Sequence, residues 1–163
     1  MTTFALLRRT FALRLLGWAR IPLLASVRPT VEELDADRCV VRVPLRRWTR
    51  NHLGSMYFGA LAIGADCAGG LLAVERIRAR KAGLTLIFKA FEARFLKRPE
   101  ADVRFICEDG ARIGELVERA LASGERETGP VRVRADVRTG TSTETVAEFT
   151  LELSLKKTGR AVL

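Results

Sequence analysis

The sequence predicts an α+β fold in which an antiparallel sheet wraps around one long central helix, with an extra N-terminal helix and an inserted helix. Three observations predict it. The stretch from Ser55 to about Ala79 is apolar on every side of a helix, so it belongs inside the fold. The last third alternates apolar and polar residues in two long runs, as strands with one wet face do. Between these, the order of elements is strand, long helix, then mostly strands with a single helix among them, which suits helices gathered on one side of an antiparallel sheet.

The 163 residues suffice for one domain with a real core, and 48% hydrophobic with 29% charged residues is a globular balance. Lys and Arg outnumber Asp and Glu by 28 to 19, a net charge of +9 that favours anionic partners. The basic residues are scattered, with only eight Phe, two Trp and one Tyr among them and no zinc-ligand set, so no nucleic-acid partner is expected. Cys39, Cys67 and Cys107 are odd in number and lack CxxC spacing, which points to a reduced, cytoplasmic compartment.

Residues 1–25 read as an amphipathic helix. Phe4, Leu7, Phe11, Leu15 and Trp18 line one face, expected to pack on the domain, and Pro22 stops the helix. The arginines Arg8, Arg9, Arg14 and Arg20 leave weak contact with an anionic membrane surface as a second use for it. No charge-free apolar run reaches the roughly 20 residues of a membrane span, so no transmembrane segment is expected. Val27 to Asp37 reads as a polar connection, and the second unit covers residues 37–158.

Cys39 to Leu45 is β-branched and strand-like, and Arg46 to Arg50 is a basic loop carrying Trp48. Ser55 is the expected N-cap of the central helix. Leu84 to Ala90 alternates as a strand that Ala93 to Leu96 continues after a bend. Asp102 to Cys107 is a short strand, and Ile113 to Leu121 repeats at helical spacing, with Gly124 as its stop. Val131 to Val137 and Val146 to Leu155 form a pair of strands joined by a turn over Thr139 to Thr143.

One residue breaks the pattern of the central helix. Asp66 interrupts the apolar run Met56 to Ala65, and Cys67 to Val74 continues it. A buried carboxylate is costly unless it is paired or does chemistry, and burial lifts its pKa toward the range useful for a base. The amides of Phe58 and Gly59, at the helix N-terminus, are free donors suited to a developing oxyanion. A structural alternative leaves Asp66 bonded to backbone or to a basic residue.

The run Asn51-His52-Leu53-Gly54-Ser55-Met56-Tyr57-Phe58-Gly59, with Asp66 further along, resembles the signature of the hotdog-fold acyl-CoA thioesterases. It is closest to the phenylacetyl-CoA thioesterase-like branch, and the wider sequence looks most like an uncharacterised hotdog subfamily, domain of unknown function 4442. Asn51, Gly54, Ser55, Gly59 and Asp66 fall at matching spacing, whereas Tyr57 stands where the family has His and Phe58 where it has its first Gly. The resemblance implies a hotdog fold and hydrolysis of an acyl-CoA or acyl-carrier-protein thioester. Asp66 would activate water, Asn51 would position the carbonyl or the water, Phe58 and Gly59 would form the oxyanion hole, and Thr85, brought in from the neighbouring subunit, would orient the water. It implies substrate contacts from His52, Ser55 and Tyr57, phosphate contacts from Arg94, Lys97 and Arg98, and a homodimer or homotetramer with the site across a subunit interface. Coenzyme A would enter as part of the substrate, with no separate cofactor and no metal. Two other readings stay open: a non-catalytic acyl-binding or structural hotdog protein, and a dehydratase. The dehydratase reading rests on His52, fourteen residues before Asp66, but lacks that class's proline-rich loop.

Overall fold

The computed structural model describes residues 2–81 and 83–158. In chain order the elements are α1 (Thr3–Arg20), α2 (Pro22–Ser26), β1 (Thr30–Leu34), β2 (Cys39–Val43), α3 (Phe58–Ala79), β3 (Leu84–Phe95), β4 (Val103–Cys107), α4 (Gly110–Ser123), β5 (Glu127–Thr139) and β6 (Ser142–Lys157). The six strands form one sheet in the order β1-β2-β4-β5-β6-β3, and every neighbouring pair is antiparallel. The α+β architecture expected from the alternation and the apolar helix is the one observed.

Helix α3 crosses one face of that sheet and buries ten residues, among them Leu61, Ala65, Ala68, Leu72 and Ile77. By length and composition α3 is apolar enough to cross a membrane, although Asp66 leaves it no charge-free run of that length. Its burial against the sheet makes it the core helix. Gly64 sets how closely helix and sheet approach. A Cβ there would lie 2.2 Å from the ring of Phe105 on β4, so only a bare backbone lets that ring seat against the helix.

The β5–β6 hairpin has the residues expected of it and a tighter turn, since β5 ends at Thr139 and β6 begins at Ser142. The bend in β3, expected between Ala90 and Ala93, lies earlier, as a bulge at Lys89 where the register steps from Phe88 opposite Leu153 to Ala90 opposite Glu152. Helix α4 ends as expected at Gly124, which adopts a φ of 70°.

Three expectations are corrected. Val27 to Asp37 is not wholly a polar connection, because it contains β1, paired with β2. The register shifts between Val31 and Glu33, and that bulge destroys the alternation that would have revealed the strand. Ser55 does not cap α3: the cap position is Tyr57, and no side chain bonds the first turn. Finally, the stripe Phe4, Leu7, Phe11, Leu15 and Trp18 does not pack on the domain, for each of the five is more than half exposed. Helix α1 packs through its other side, where Thr10, Leu13 and Gly17 are buried. Thr10 accepts a bond from the Val31 amide at 3.0 Å, and Arg9 pairs with Glu75 of α3 at 2.8 Å. Pro22 ends α1 as predicted but also opens α2, which folds back over Gly17.

Candidate active site

The chain enters α3 through a tight loop built by two polar side chains. Asn51 Oδ1 accepts the amides of Leu53 at 2.9 Å and Ser55 at 3.2 Å, and its Nδ2 lies 3.1 Å from the Ser55 hydroxyl. The Asn51 amide in turn donates to the Ser55 carbonyl at 2.8 Å. Ser55 is fully buried beneath this loop, so Asn51 and Ser55 first of all shape the approach to the helix. His52 lies exposed on the same loop.

At the start of α3, the Tyr57 carbonyl accepts the amides of Ala60 and Leu61. Among the described residues the amides of Phe58 and Gly59 donate to nothing, as expected for the first turn of a helix. Phe58 is 58% exposed, and its ring lies 4.6 Å from that of Tyr57 and 6.4 Å from that of Phe95. Gly59 is required here because a Cβ would come within 2.8 Å of the Tyr57 ring. The two departures from the family pattern, Tyr57 and Phe58, thus form an aromatic rim around free amide donors.

Asp66 lies two turns further along α3 and is half-buried. Among the described residues its carboxylate has no hydrogen bond and no ion pair. Desolvation by burial alone pushes its pKa above the ordinary carboxylate value, with no charged partner in the cause. Neither form of the structural alternative, a bond to backbone or a pair with a basic side chain, is present at Asp66 among the described residues. Gly70 keeps the space beside it open: a Cβ at residue 70 would lie 3.8 Å from Asp66 Oδ1 and 3.8 Å from the Phe88 ring.

That ring introduces residues the sequence reading missed. Leu86 and Phe88 pack toward the core and, after the bulge, Ala93 does as well. Phe91 and Phe95 lie on the same side, 5.6 and 6.2 Å from the buried Phe149 ring. Together they make β3 an apolar wall beside α3, still partly exposed at Phe91 and Phe95. The signal was the change of phase at Lys89, which brings Phe88, Phe91 and Phe95 to one face although their numbering does not alternate evenly.

The same strand geometry separates other candidates from Asp66. Thr85 alternates with Leu84 and Leu86, so it occupies the face of the sheet away from α3, where its hydroxyl donates to the Lys156 carbonyl at 3.2 Å. Arg94 shares that far face and pairs with Glu148 at 3.5 Å. Lys97 pairs with Glu144, and Arg98 lies 3.9 Å from Glu100, both at the exposed end of β3. The structure therefore brings together Asp66, Gly70 and the β3 wall, and separately Asn51, Ser55, Tyr57, Phe58 and Gly59. Within one chain Thr85 and Arg94 join neither group.

An apolar groove of about 440 Å³ runs between α1 and the C-terminal half of α3, lined by Leu13, Leu16, Leu34, Leu71 and Val74 with Arg9, Glu75 and Arg78 at its edge. None of the cysteines is placed to be a nucleophile. Burial pushes the Cys107 thiol up to about 12, and raises Cys39 and Cys67 still further from their usual range. Among the described residues no group of three or more His, Cys, Asp or Glu side chains could hold a metal ion.

The comparisons agree with this architecture. The chain belongs to the family of the domain of unknown function DUF4442, whose model matches residues 11–154. A protein of unknown function from Pseudomonas aeruginosa, described as a probable thioesterase, superposes with a TM-score of 0.73 at 25% identity, covering 91% of this chain and 96% of that one. A thioesterase family protein from Silicibacter pomeroyi gives 0.65 at 15% identity, over 91% of this chain and 99% of its own. A thioesterase from Haemophilus influenzae gives 0.60 at 13% identity, over 91% and 90%. These neighbours share the hotdog architecture, and the fold of this chain is a hotdog fold. No curated protein matches the sequence.

Proposed function

We propose that this protein hydrolyses thioesters of acyl-coenzyme A or acyl-carrier protein, at a site completed by a second copy of the chain. The observation that carries the proposal is Asp66: half-buried, unpaired among the described residues, and with its pKa raised by desolvation alone. A carboxylate in that state is a better base than an exposed one and is not spent on a structural ion pair.

Helix geometry supports the shared site that the family resemblance implies. Asp66 stands seven residues beyond Gly59, so at 1.5 Å per residue the two are about 10 Å apart along the axis. A base and its oxyanion donors must both lie within about 3 Å of the reacting atoms. That spacing favours donors from a second chain over those of the same chain. A second α3 lying antiparallel beside the first would present its Phe58 and Gly59 amides to Asp66. The half-exposed stripe Ala62, Ile63, Asp66, Gly70 and Val74, and the apolar wall of the edge strand β3, are the surfaces available for that pairing.

In this reading Asp66 takes a proton from water as the water oxygen attacks the thioester carbonyl. The oxyanion forms against the Phe58 and Gly59 amides of the other copy. Its collapse breaks the carbon–sulfur bond, and the thiolate leaves with the proton held by Asp66, giving a carboxylic acid and a thiol. Asn51 and Ser55 hold the entry loop, and His52 and Tyr57 contact substrate at its rim. The coenzyme phosphates are assigned to Lys97 and Arg98. Their present partners are exposed carboxylates in pairs worth about 1 kcal/mol or less, so the exchange costs little. The acyl chain extends along Gly70, Leu71 and Val74 toward the groove under α1. Three free, buried thiols suit a reducing, cytoplasmic setting.

Two measurements test the proposal. Thiol release from an acyl-CoA panel should fall by roughly 10² to 10⁴ in Asp66→Asn, the range of a lost general base. Unchanged turnover in that variant would remove Asp66, and binding without turnover by the wild type would favour an acyl-binding protein. The second measurement addresses the shared site. Phe58 is the first helical residue, where proline is tolerated, so Phe58→Pro deletes one oxyanion donor and keeps the helix. Re-pairing two inactive variants, Asp66→Asn and Phe58→Pro, should restore about a quarter of wild-type turnover through mixed dimers with one intact site. No restoration would place the whole site within one chain.

A further inference from the structure

The face of α1 that the domain leaves uncovered has a chemistry of its own. At 100° per residue Phe4, Leu7, Phe11, Leu15 and Trp18 fall within an arc of about 80°. Trp18 at 78% and Phe4 at 70% are its most exposed members. Ile21 and Leu23, also exposed, carry the apolar surface past the end of the helix. A contiguous exposed patch of this kind marks an interaction surface, since single exposed apolar residues are ordinary but a helix-long stripe is not.

Charge says which surface. Residues 1–31 contain Arg8, Arg9, Arg14, Arg20 and Arg28 and no acidic residue, the first being Glu32. Arg8 borders the stripe at 100° per residue, whereas Arg14, on its other border, donates to the Pro29 carbonyl at 2.9 Å and the Thr30 hydroxyl at 2.9 Å. Arg9 is held by Glu75, whereas Arg8, Arg20 and Arg28 are exposed. Apolar and aromatic side chains bordered by arginines are the composition of a helix that lies in the plane of a bilayer. A span is excluded for α1 because four arginines divide its 18 residues. A second copy is a poorer occupant. Helix α1 packs beside β1, at the opposite edge of the sheet from β3, so pairing through β3 would not cover it.

We infer that α1 docks this protein on an anionic lipid bilayer, its Phe4–Trp18 stripe buried at the headgroup boundary and the exposed Arg8, Arg20 and Arg28 on the lipid phosphates. The inference stands apart from Asp66 chemistry, because Phe4, Leu7, Phe11 and Trp18 face away from the surface by which α1 packs on the domain; Leu15, at the border of the stripe, also lines the groove between α1 and α3.

The test uses the full chain carrying Trp48→Phe, which leaves Trp18 as the sole tryptophan. With vesicles of phosphatidylcholine and phosphatidylglycerol, the protein should co-sediment and its Trp18 emission should shift to the blue. Phosphatidylcholine alone should bind it far more weakly, and added salt should weaken anionic binding. Leu7→Ser with Phe11→Ser should lower partitioning at least about tenfold, and Arg8→Ala roughly fivefold, with melting temperature and turnover of a soluble thioester unchanged. Asp66→Asn should bind vesicles like its parent, so a failure of the hydrolase proposal and a failure of this one read differently. Absence of binding to anionic vesicles at low salt, equal binding by the serine variant, or a fall in oligomeric mass when the stripe is changed would each overturn the inference.

Discussion

Helices α1 and α3 carry similar raw material, apolar stretches interrupted by charge, and the fold uses them in opposite ways. In α3 the apolar surface goes inward on nearly every side and ten residues are buried; of its two acidic residues Glu75 pairs with Arg9, while Asp66 is left half-buried without a partner among the described residues. In α1 the interruptions are arginines, three residues are buried, and the broadest apolar stripe stays in solvent. The difference teaches that apolar content measures how much surface needs covering, while neighbours decide what covers it. The cover for α3 is the sheet, and the cover proposed for α1 is a lipid surface.

The comparison can be sharpened most strongly at Asp66. Asp66→Asn should cost orders of magnitude in turnover yet raise stability at neutral pH. The sign follows from its raised pKa. Between the unfolded and folded values the native state holds a proton that the unfolded chain has released, so stability falls as pH rises through that window. Parent and variant should therefore converge in urea midpoint at low pH and separate above it. Activity runs the other way, since the base must be ionised. The acid limb of kcat/KM should lie above the ordinary aspartate value of 3.8 and vanish in the variant.

Packing substitutions come next in size. Leu13→Ala, on the buried side of α1, should destabilise by about 2–4 kcal/mol in denaturant unfolding, whereas Phe11→Ala on the stripe should change stability by less than about 0.5 kcal/mol. Equal effects would erase the distinction between the two faces. In α3, Gly64→Ala should cost about 1–3 kcal/mol, because its new Cβ would press on the Phe105 ring. A smaller effect is expected at the groove between the two helices. Leu71→Trp should raise KM several-fold for long acyl chains and leave short ones nearly unchanged, as filling an apolar slot does.

Much of this fold was legible because most elements keep a clean period. Val131, Val133 and Ala135 against Val146 to Leu155 read directly as a hairpin, and Ile113 to Leu121 as a helix ending at Gly124. Legibility failed where the period broke. In β1 the bulge between Val31 and Glu33 leaves two adjacent glutamates, one of which pairs with both Arg42 and Arg104 across the sheet. In β3 the bulge at Lys89 hid the wall formed by Phe88, Phe91 and Phe95. The stripe on α1 had the right period and the wrong partner. Gly17 was the available clue to its packing side, since a Cβ there would meet the α2 backbone at 2.9 Å.

From the amino acids alone came the core helix, the antiparallel strands and the anomaly of Asp66, because each is written in local period and in the cost of burying charge. Whether that carboxylate found a cation, which side of β3 each residue took, and which face of α1 was left to solvent were settled only by tertiary structure. Those outcomes depend on which distant surfaces meet. A one-residue bulge or a single glycine redirects that meeting without altering the overall pattern of apolar and polar residues.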